Sequence, residues 1–484
     1  MYKRGLATTV LLTSTLAACA VGPDYQRPAI SIATPEHFAR AESGTGSAAN
    51  APVGDTEFWN SFNDPKLSAL IERALGTNND LRVALARYDS GNALLREAKF
   101  DRFPTITAGG EVGHQRVSQD QAYGFPRSAD VYSVSANASW ELDLWGRVRR
   151  NVEAQRAETA ARSSDLQALQ ISMVGDVASA YVHLRGAQER LRVARGNADN
   201  QLETLRIVNA RMNAGRDADF DTARAQAQYE STASRVPVLE AQIAVDEHRL
   251  AVLTGRAPGA FIAELDIPGS LPALPARIGP DTPADVLRRR PDVAAAEQRL
   301  HAATARVGVA TADLFPRLTL QGMIGSFAFG GMFTSGSETS LVALGVDWSF
   351  LDVGRVRARI AASNADASGL LAQYQQTVLL ALEDTENALV RSMNTRREDE
   401  HLERAAADST RAAQLARTQF QAGTIGLYEV LDAERVELQA QDGFADGRTR
   451  SALTAIALYK ALAGGWPQHM PLREETVAWQ MNQK

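Results

Sequence analysis

From about Arg147 to Met212 the chain contains no proline. Its apolar residues recur at steps of three and four: Leu166, Leu169, Met173, Val177, Ala180, Leu184 and onward to Leu205. That spacing lines one seam of a helix in the manner of a coiled coil. At 1.5 Å per residue the helix would be roughly 100 Å long, more than an ordinary globular domain accommodates. Ala214-Gly215 ends it, with Gly215 placed for a left-handed cap. A second helix, about half as long, then returns from about Asp221 to Leu253. Ala422-Gly423 repeats the turn, with Gly423 in the same role. Helices at about 65–101 and 284–312 match the returning helices in length. Stacked end to end on them, they would give four tall columns per chain.

Elsewhere the period changes to two. In 131–142, Tyr132, Val134, Ala136, Ala138, Trp140 and Leu142 share one face, and Ser133, Ser135, Asn137, Ser139 and Glu141 share the other. Residues 103–112 set Ile106, Ala108 and Val112 against Thr105, Thr107 and Glu111. Residues 339–350 set Val342, Leu344, Val346, Trp348 and Phe350 against Ala343, Gly345, Asp347 and Ser349. Strands of about ten residues with one apolar and one small, polar face suit a membrane β-barrel, with Trp140 and Trp348 as interface aromatics. Soluble sandwiches use similar strands but need about seven. Here two hairpins lie some 200 residues apart. Four strands cannot close a membrane barrel, and an open edge in lipid leaves backbone groups unpaired. The barrel must be shared between chains, which predicts a ring-shaped oligomer. The segments 114–130 and 326–338, rich in Gly, Ser and polar residues, are expected as loops outside the cell.

The whole pattern occurs twice. "GRVRRNVEAQ" at 146–155 resembles "GRVRARIAAS" at 354–363, and "RMNAGRDADFDTARA" at 211–225 resembles "QFQAGTIGLYEVLDA" at 419–433. Both matches, and the pair Trp140 and Trp348, share an offset of 208 residues. "FPTITAGGEV" and "FPRLTLQGMI" open the two hairpins.

Composition adds the N-terminus and removes several functions. The chain has 484 residues, a net charge of -6 and one cysteine, Cys19. Lys3 and Arg4 precede a short apolar run, and Leu16-Ala17-Ala18 leads into Cys19, which is secretory-signal grammar. The four residues 16–19 resemble the bacterial lipoprotein box, in which the cysteine is acylated and becomes the first residue. Ala20 rather than an Asp then favours the outer membrane. Removing 1–18 moves the charge to -8, a poor balance for nucleic acid. The seven histidines are scattered, and no helical ligand pair, phosphate loop or nucleophile elbow is present. Neither catalysis, a metal nor a cofactor beyond covalent lipid is expected.

"GPDYQRP" after Cys19, "FWNSFNDPKLSALIERAL" at 58–75 and "RRPDVAAAEQRL" at 289–300 are similar to TolC-like outer membrane factors, specifically efflux lipoproteins of the NodT subgroup. The resemblance runs from Cys19 to about Gly465. It implies an α+β homotrimer: a 12-stranded outer-membrane β-barrel, four strands per chain, on a 12-helix periplasmic α-barrel. By that reading residues 1–18 are the signal peptide and 19–64 the lipidated segment. The helical barrel takes 65–102, 147–255, 284–312 and 355–463, and the barrel hairpins take 103–146 and 313–354. Residues 256–283 and 464–484 form an equatorial belt.

The family's tunnel narrows at its helix-hairpin tips. Glu429 and Asp432 match its paired aperture acids, and Asp221 the acid of the first-half turn. Phe420 stands where the best-known relative has a tyrosine, and Ile425 where it has an arginine latch. From the residues alone, Asp432 could instead pair with Arg435 and Asp221 with Arg224. The implied function is a passive exit duct for an inner-membrane pump, RND type, and its periplasmic adaptor. The alternatives are a structural lipoprotein without a conducting lumen, or a component of type I secretion.

Overall fold

In the computed structural model, residues 20–28, 37–39, 58–122, 126–214, 218–274, 282–329 and 331–463 are described. Cys19 and the 1–18 leader, Gly124, Gly215, residues 275–281 of the expected belt and the tail 464–484 lie outside the described residues. The chain divides into two compact units. One takes Met1–Ser31, Ala86–Ser164 and Ala294–Thr377; the other takes the remainder.

The first unit contains an antiparallel sheet in the order β1-β2-β3-β4. Its strands are β1 (Thr105–Arg116), β2 (Ser128–Leu142), β3 (Arg317–Phe329) and β4 (Glu338–Asp347). Register carries the alternation across all four: Ile106 faces Ala138, which faces Gly322, which faces Val342. On the other side Thr105, Ser139, Gln321 and Ala343 form one row. The ladder continues to Arg116 opposite Ser128 and Phe329 opposite Val131. The expected loops 114–130 and 326–338 are therefore shorter, because their flanks still pair as strand. The two hairpins repeat a tryptophan contact: the indole of Trp140 donates to the Arg102 carbonyl, and that of Trp348 to the Leu314 carbonyl, each at 3.0 Å.

The helices are α1 (Pro65–Thr77), α2 (Asn79–Phe100), α3 (Arg147–Asn213), α4 (Asp219–Ala233) and α5 (Arg235–Leu253). They continue as α6 (Ile262–Leu265), α7 (Pro283–Arg289), α8 (Pro291–Ala312), α9 (Val353–Gln421) and α10 (Leu427–Leu462). The long helices α3 and α9, 67 and 69 residues, follow the expected proline-free runs. Among the described residues no helix is long and apolar enough to cross a membrane.

Three helices expected as continuous are broken, two at a proline and one at a contact distant in sequence. The return 221–253 is interrupted at Ser234, because Pro237 has no N–H for the Ala233 carbonyl and its ring crowds it. The segment 284–312 breaks at Arg290, whose extended ψ of 118° is what a residue before proline prefers. The segment 65–101 breaks at Asn78, whose Oδ1 accepts from the amides of Asp80 and Leu81 while its Nδ2 donates to the Leu253 carbonyl at 2.9 Å. In the second unit small residues bring helices close. A side chain on Gly186 would run into Thr449 across the α3–α10 contact.

Candidate functional site

The second-half tip follows from how α9 ends. The amide of Thr424 donates to the Gln419 carbonyl and that of Gly423 to the Phe420 carbonyl, both at 2.9 Å. This is the Schellman pattern, which needs a left-handed residue after the cap; Gly423 has φ +75°. The turn folds Phe420, Leu427, Val430 and Leu431 into a buried cluster with Leu205 and Val208 of α3 and Ala225 of α4, and Ile425 packs against it. Both halves thus share one apolar tip.

One contact ties them together. The guanidinium of Arg211, at the end of α3, lies 4.0 Å over the Phe420 ring and donates to the Phe420 carbonyl at 2.6 Å. A ring face with an adjacent carbonyl satisfies a cation without a carboxylate. Beside it, Arg224 lies between the exposed rings of Phe220 and Tyr428, 5.4 Å and 5.3 Å away.

The expected acids are distributed along the starts of α4 and α10. Glu429 is exposed in the first turn of α10, with Oε2 close enough to Gly426 to meet a side chain placed there. Asp432 pairs with Arg435 at 2.6 Å, both about half exposed. Asp221 lies half-buried in the first turn of α4, where the helix dipole favours a negative charge.

Below the tip is a network that the scattered charges did not announce. Arg417 of α9 sits between Glu434, at 3.0 Å, and Glu437 of α10. Glu434 is fully buried, takes a bond from the Thr204 hydroxyl at 2.8 Å, and leaves Oε2 without a protein partner. Gln441 links Glu437 to Asn197, and the Gln201 amide, buried at the same seam, finds no protein partner. The signal was in the spacing: Leu427, Leu431, Glu434, Leu438 and Gln441 step by three and four along the apolar seam of α10.

In the first unit, the residues just after Cys19 are strapped down. The Val21 amide donates to the Trp145 carbonyl at 3.0 Å, and Arg150 bonds the Val21 carbonyl and pairs with Asp24. Tyr25 stacks on His301 at 4.3 Å and donates to Glu297, which also pairs with Arg27. Close contacts of Gly22 with Gly308, and of Gly146 with Ala20, leave no room for side chains at either glycine. Burial pushes the Glu153 carboxyl up, but the bonds from His301 and Arg150 hold it below the usual range.

A two-faced sheet joined to long helices twice over is matched by a known family model. The outer membrane efflux protein family model covers residues 70–256 and 282–464. The chain belongs to the outer membrane efflux protein family. It is 31% identical to the outer membrane protein OprJ of Pseudomonas aeruginosa, over 95% of this chain and 96% of that one. It is 32% identical to the pyoverdine export outer membrane protein OpmQ of Pseudomonas putida, over 96% and 98%. The solved outer-membrane channel OprN superposes with a TM-score of 0.81 at 37% identity, covering 93% of this chain and all of that one. The protein is thus an outer-membrane efflux channel that extends into the periplasm, a transport protein and not an enzyme.

Proposed function

We propose that the protein is a homotrimeric exit duct serving an RND-type inner-membrane pump and a periplasmic adaptor. The polar face of the sheet carries this reading. Thr105, Thr107, Ser133, Ser135, Asn137, Ser139 and Gln321 share that face, opposite Ile106, Val112, Trp140, Ile324 and Val342. A face of hydroxyls and amides in a closed barrel holds water, whereas a structural spacer has no use for it. The sequence carries no GxxxxGK phosphate loop, and in this reading the pump supplies the energy. In planar bilayers the purified trimer gives discrete conductance steps; intact trimers without current refute the duct.

Three finer assignments belong to the same reading. Glu429, Asp432 and Asp221 line the periplasmic aperture, with Phe420 and Ile425 supplying apolar closure. Three copies of the tip around one axis would gather these acids, and the Asp432–Arg435 pair leaves Glu429 unneutralised. The hairpins 103–146 and 313–354 form the barrel, and residues 256–283 and 464–484 the belt. Cys19 carries the lipid: the strap seats Ala20 beside Gly146, at the β2–α3 junction where a barrel strand leaves the membrane. Cys19→Ser abolishes palmitate labelling while trimers still assemble; wild-type labelling of the variant refutes the anchor.

A further inference from the structure

The polar face of the sheet carries two apolar groups, Met323 with Leu341 opposite Asn137, and farther out Val131 with two aromatic rings. Phe327 and Phe329, at the outer end of β3, lie opposite Ser133 and Val131. Directly opposed residues of an antiparallel pair point to the same side. Both rings therefore share the side of Ser133, Ser135, Asn137 and Gln321, not that of Ile324 and Trp140. They meet edge to face at 5.3 Å and are 47% and 55% exposed. An aromatic girdle that anchors a barrel in lipid would face the other way.

The surrounding positions keep the rings accessible. The next row inward is Gly109, Ser135, Gly325 and Thr339, and Gly113 lies across Val131 from Phe329. In the row of Phe327 the third member is Glu111, opposite Ser133. Two strand spacings separate Glu111 from Phe327, about 10 Å, which leaves a gap the width of a small organic ion. A carboxylate across from two open π faces attracts a positive charge on an apolar body from both sides.

We propose that Phe327, Phe329 and Glu111 form a subsite at the extracellular mouth of the lumen, selective for amphipathic organic cations that carry aromatic or bulky apolar groups. It rests on the duct reading above. The subsite is the last surface such cargo meets before leaving, and it slows small inorganic ions less than it retains the cargo.

Tetraphenylphosphonium and tetraethylammonium carry the same charge and differ in their rings, so their block of single trimers in planar bilayers reports the subsite. Added from the extracellular side, tetraphenylphosphonium is expected to block wild type at about tenfold lower concentration than tetraethylammonium. Phe327→Ser with Phe329→Ser brings that ratio close to one. Glu111→Gln weakens block by both ions alike and preserves the ratio. Should the double variant fail to assemble, Phe327→Leu and Phe329→Leu singly keep the bulk, remove the π face, and each lower the ratio severalfold. Equal block of wild type by the two ions overturns the subsite, as does an unchanged ratio in conducting variants. Trimers that pass no current at all refute the duct itself, a different result.

Discussion

The two hairpin tips descend from one pattern and differ in where they keep their charge. With the offset of 208 residues, Phe220 corresponds to Tyr428 and Asp221 to Glu429, so both tips keep an exposed aromatic followed by an acid. Arg224 corresponds to Asp432, a reversal of sign, and Arg211 corresponds to Gln419. Deeper down, Asn209, Gln226 and Tyr229 of the first half stand where the second has Arg417, Glu434 and Glu437. Gln226 is exposed and Asn209 and Tyr229 are only half-buried, so the enclosed ionic group belongs to the second half alone. The ionic version is the more fragile, since one guanidinium serves two buried carboxylates. Higher on the returning helices the contrast inverts: Asp246 and Glu247 of α5 correspond to Thr454 and Ala455 of α10.

Arg417→Met tests the ionic interior most severely. It leaves Glu434 and Glu437 buried beside each other, which should cost about 3–5 kcal/mol. Thermal melts followed by circular dichroism should show a large drop in midpoint. Installing the first half's residues together, Arg417→Asn, Glu434→Gln and Glu437→Tyr, should recover most of it. If the triple variant melts as low as Arg417→Met, shape rather than charge separates the two tips.

The inverted contrast gives a pH dependence. Burial holds the Asp246 carboxyl above its usual range, with only the Gln242 amide and the charge of His183 pulling it down. Burial and the nearby Asp266 do the same to Glu247, against His248 and Arg185. Asp246 Oδ2 and Glu247 Oε1 have no protein partner. A raised folded-state pKa means that the folded chain holds the proton longer than the unfolded one. Stability is then lost as pH rises from the ordinary carboxylate range through the folded values. Asp246→Asn should stabilise by about 1 kcal/mol at neutral pH and flatten that slope. A melt whose pH slope is unchanged would show that a neighbouring subunit satisfies these oxygens.

How much of this was readable beforehand depends on which interaction decides each position. Alternation at 131–142 located β2 because burial on one face of a strand is set by nearest neighbours. The breaks at Pro237 and Pro291 were equally local, and the helix expectations passed over them. Asn78 breaks its helix through a bond to Leu253, 175 residues away, which no window along the chain contains. Glu434 looked like one more solvated acid, although its place on the apolar seam pointed inward. Phe327 and Phe329 are hidden in the sequence because the segment 326–338 reads as loop, whereas the strand ladder runs on to Phe329.

A smaller effect separates the tips at their shared contact. Arg211→Gln puts the second half's own residue at the corresponding site and removes both the ring contact and the bond to the Phe420 carbonyl. The loss should be about 1–2 kcal/mol, confined to the tip. Amide exchange around Phe420 should quicken while that around Asn78 stays slow. Uniform exchange across both regions would place the contact outside any local opening.

The smallest expected effect concerns the exposed acids. In a threefold ring, Glu429 and Asp432 would bring six carboxylates near one axis. At about 7 Å in a water-like dielectric, each pair repels by only about 0.6 kcal/mol. Arg435 already offsets Asp432 at 2.6 Å, so Glu429 should dominate. Glu429→Gln should therefore lower cation selectivity and relieve block by polyvalent cations more than Asp432→Asn does. Arg435→Gln should do the opposite, since it frees the Asp432 charge. Asp221 sharpens the comparison of the two tips, being the first half's counterpart of Glu429. If Asp221→Asn changes selectivity as much as Glu429→Gln, both tips face the axis alike. If only Glu429→Gln acts, the second half alone forms the aperture. Selectivity unchanged in every variant would return all three acids to solvated helix faces, with closure left to Phe420, Ile425 and the Arg211 contact.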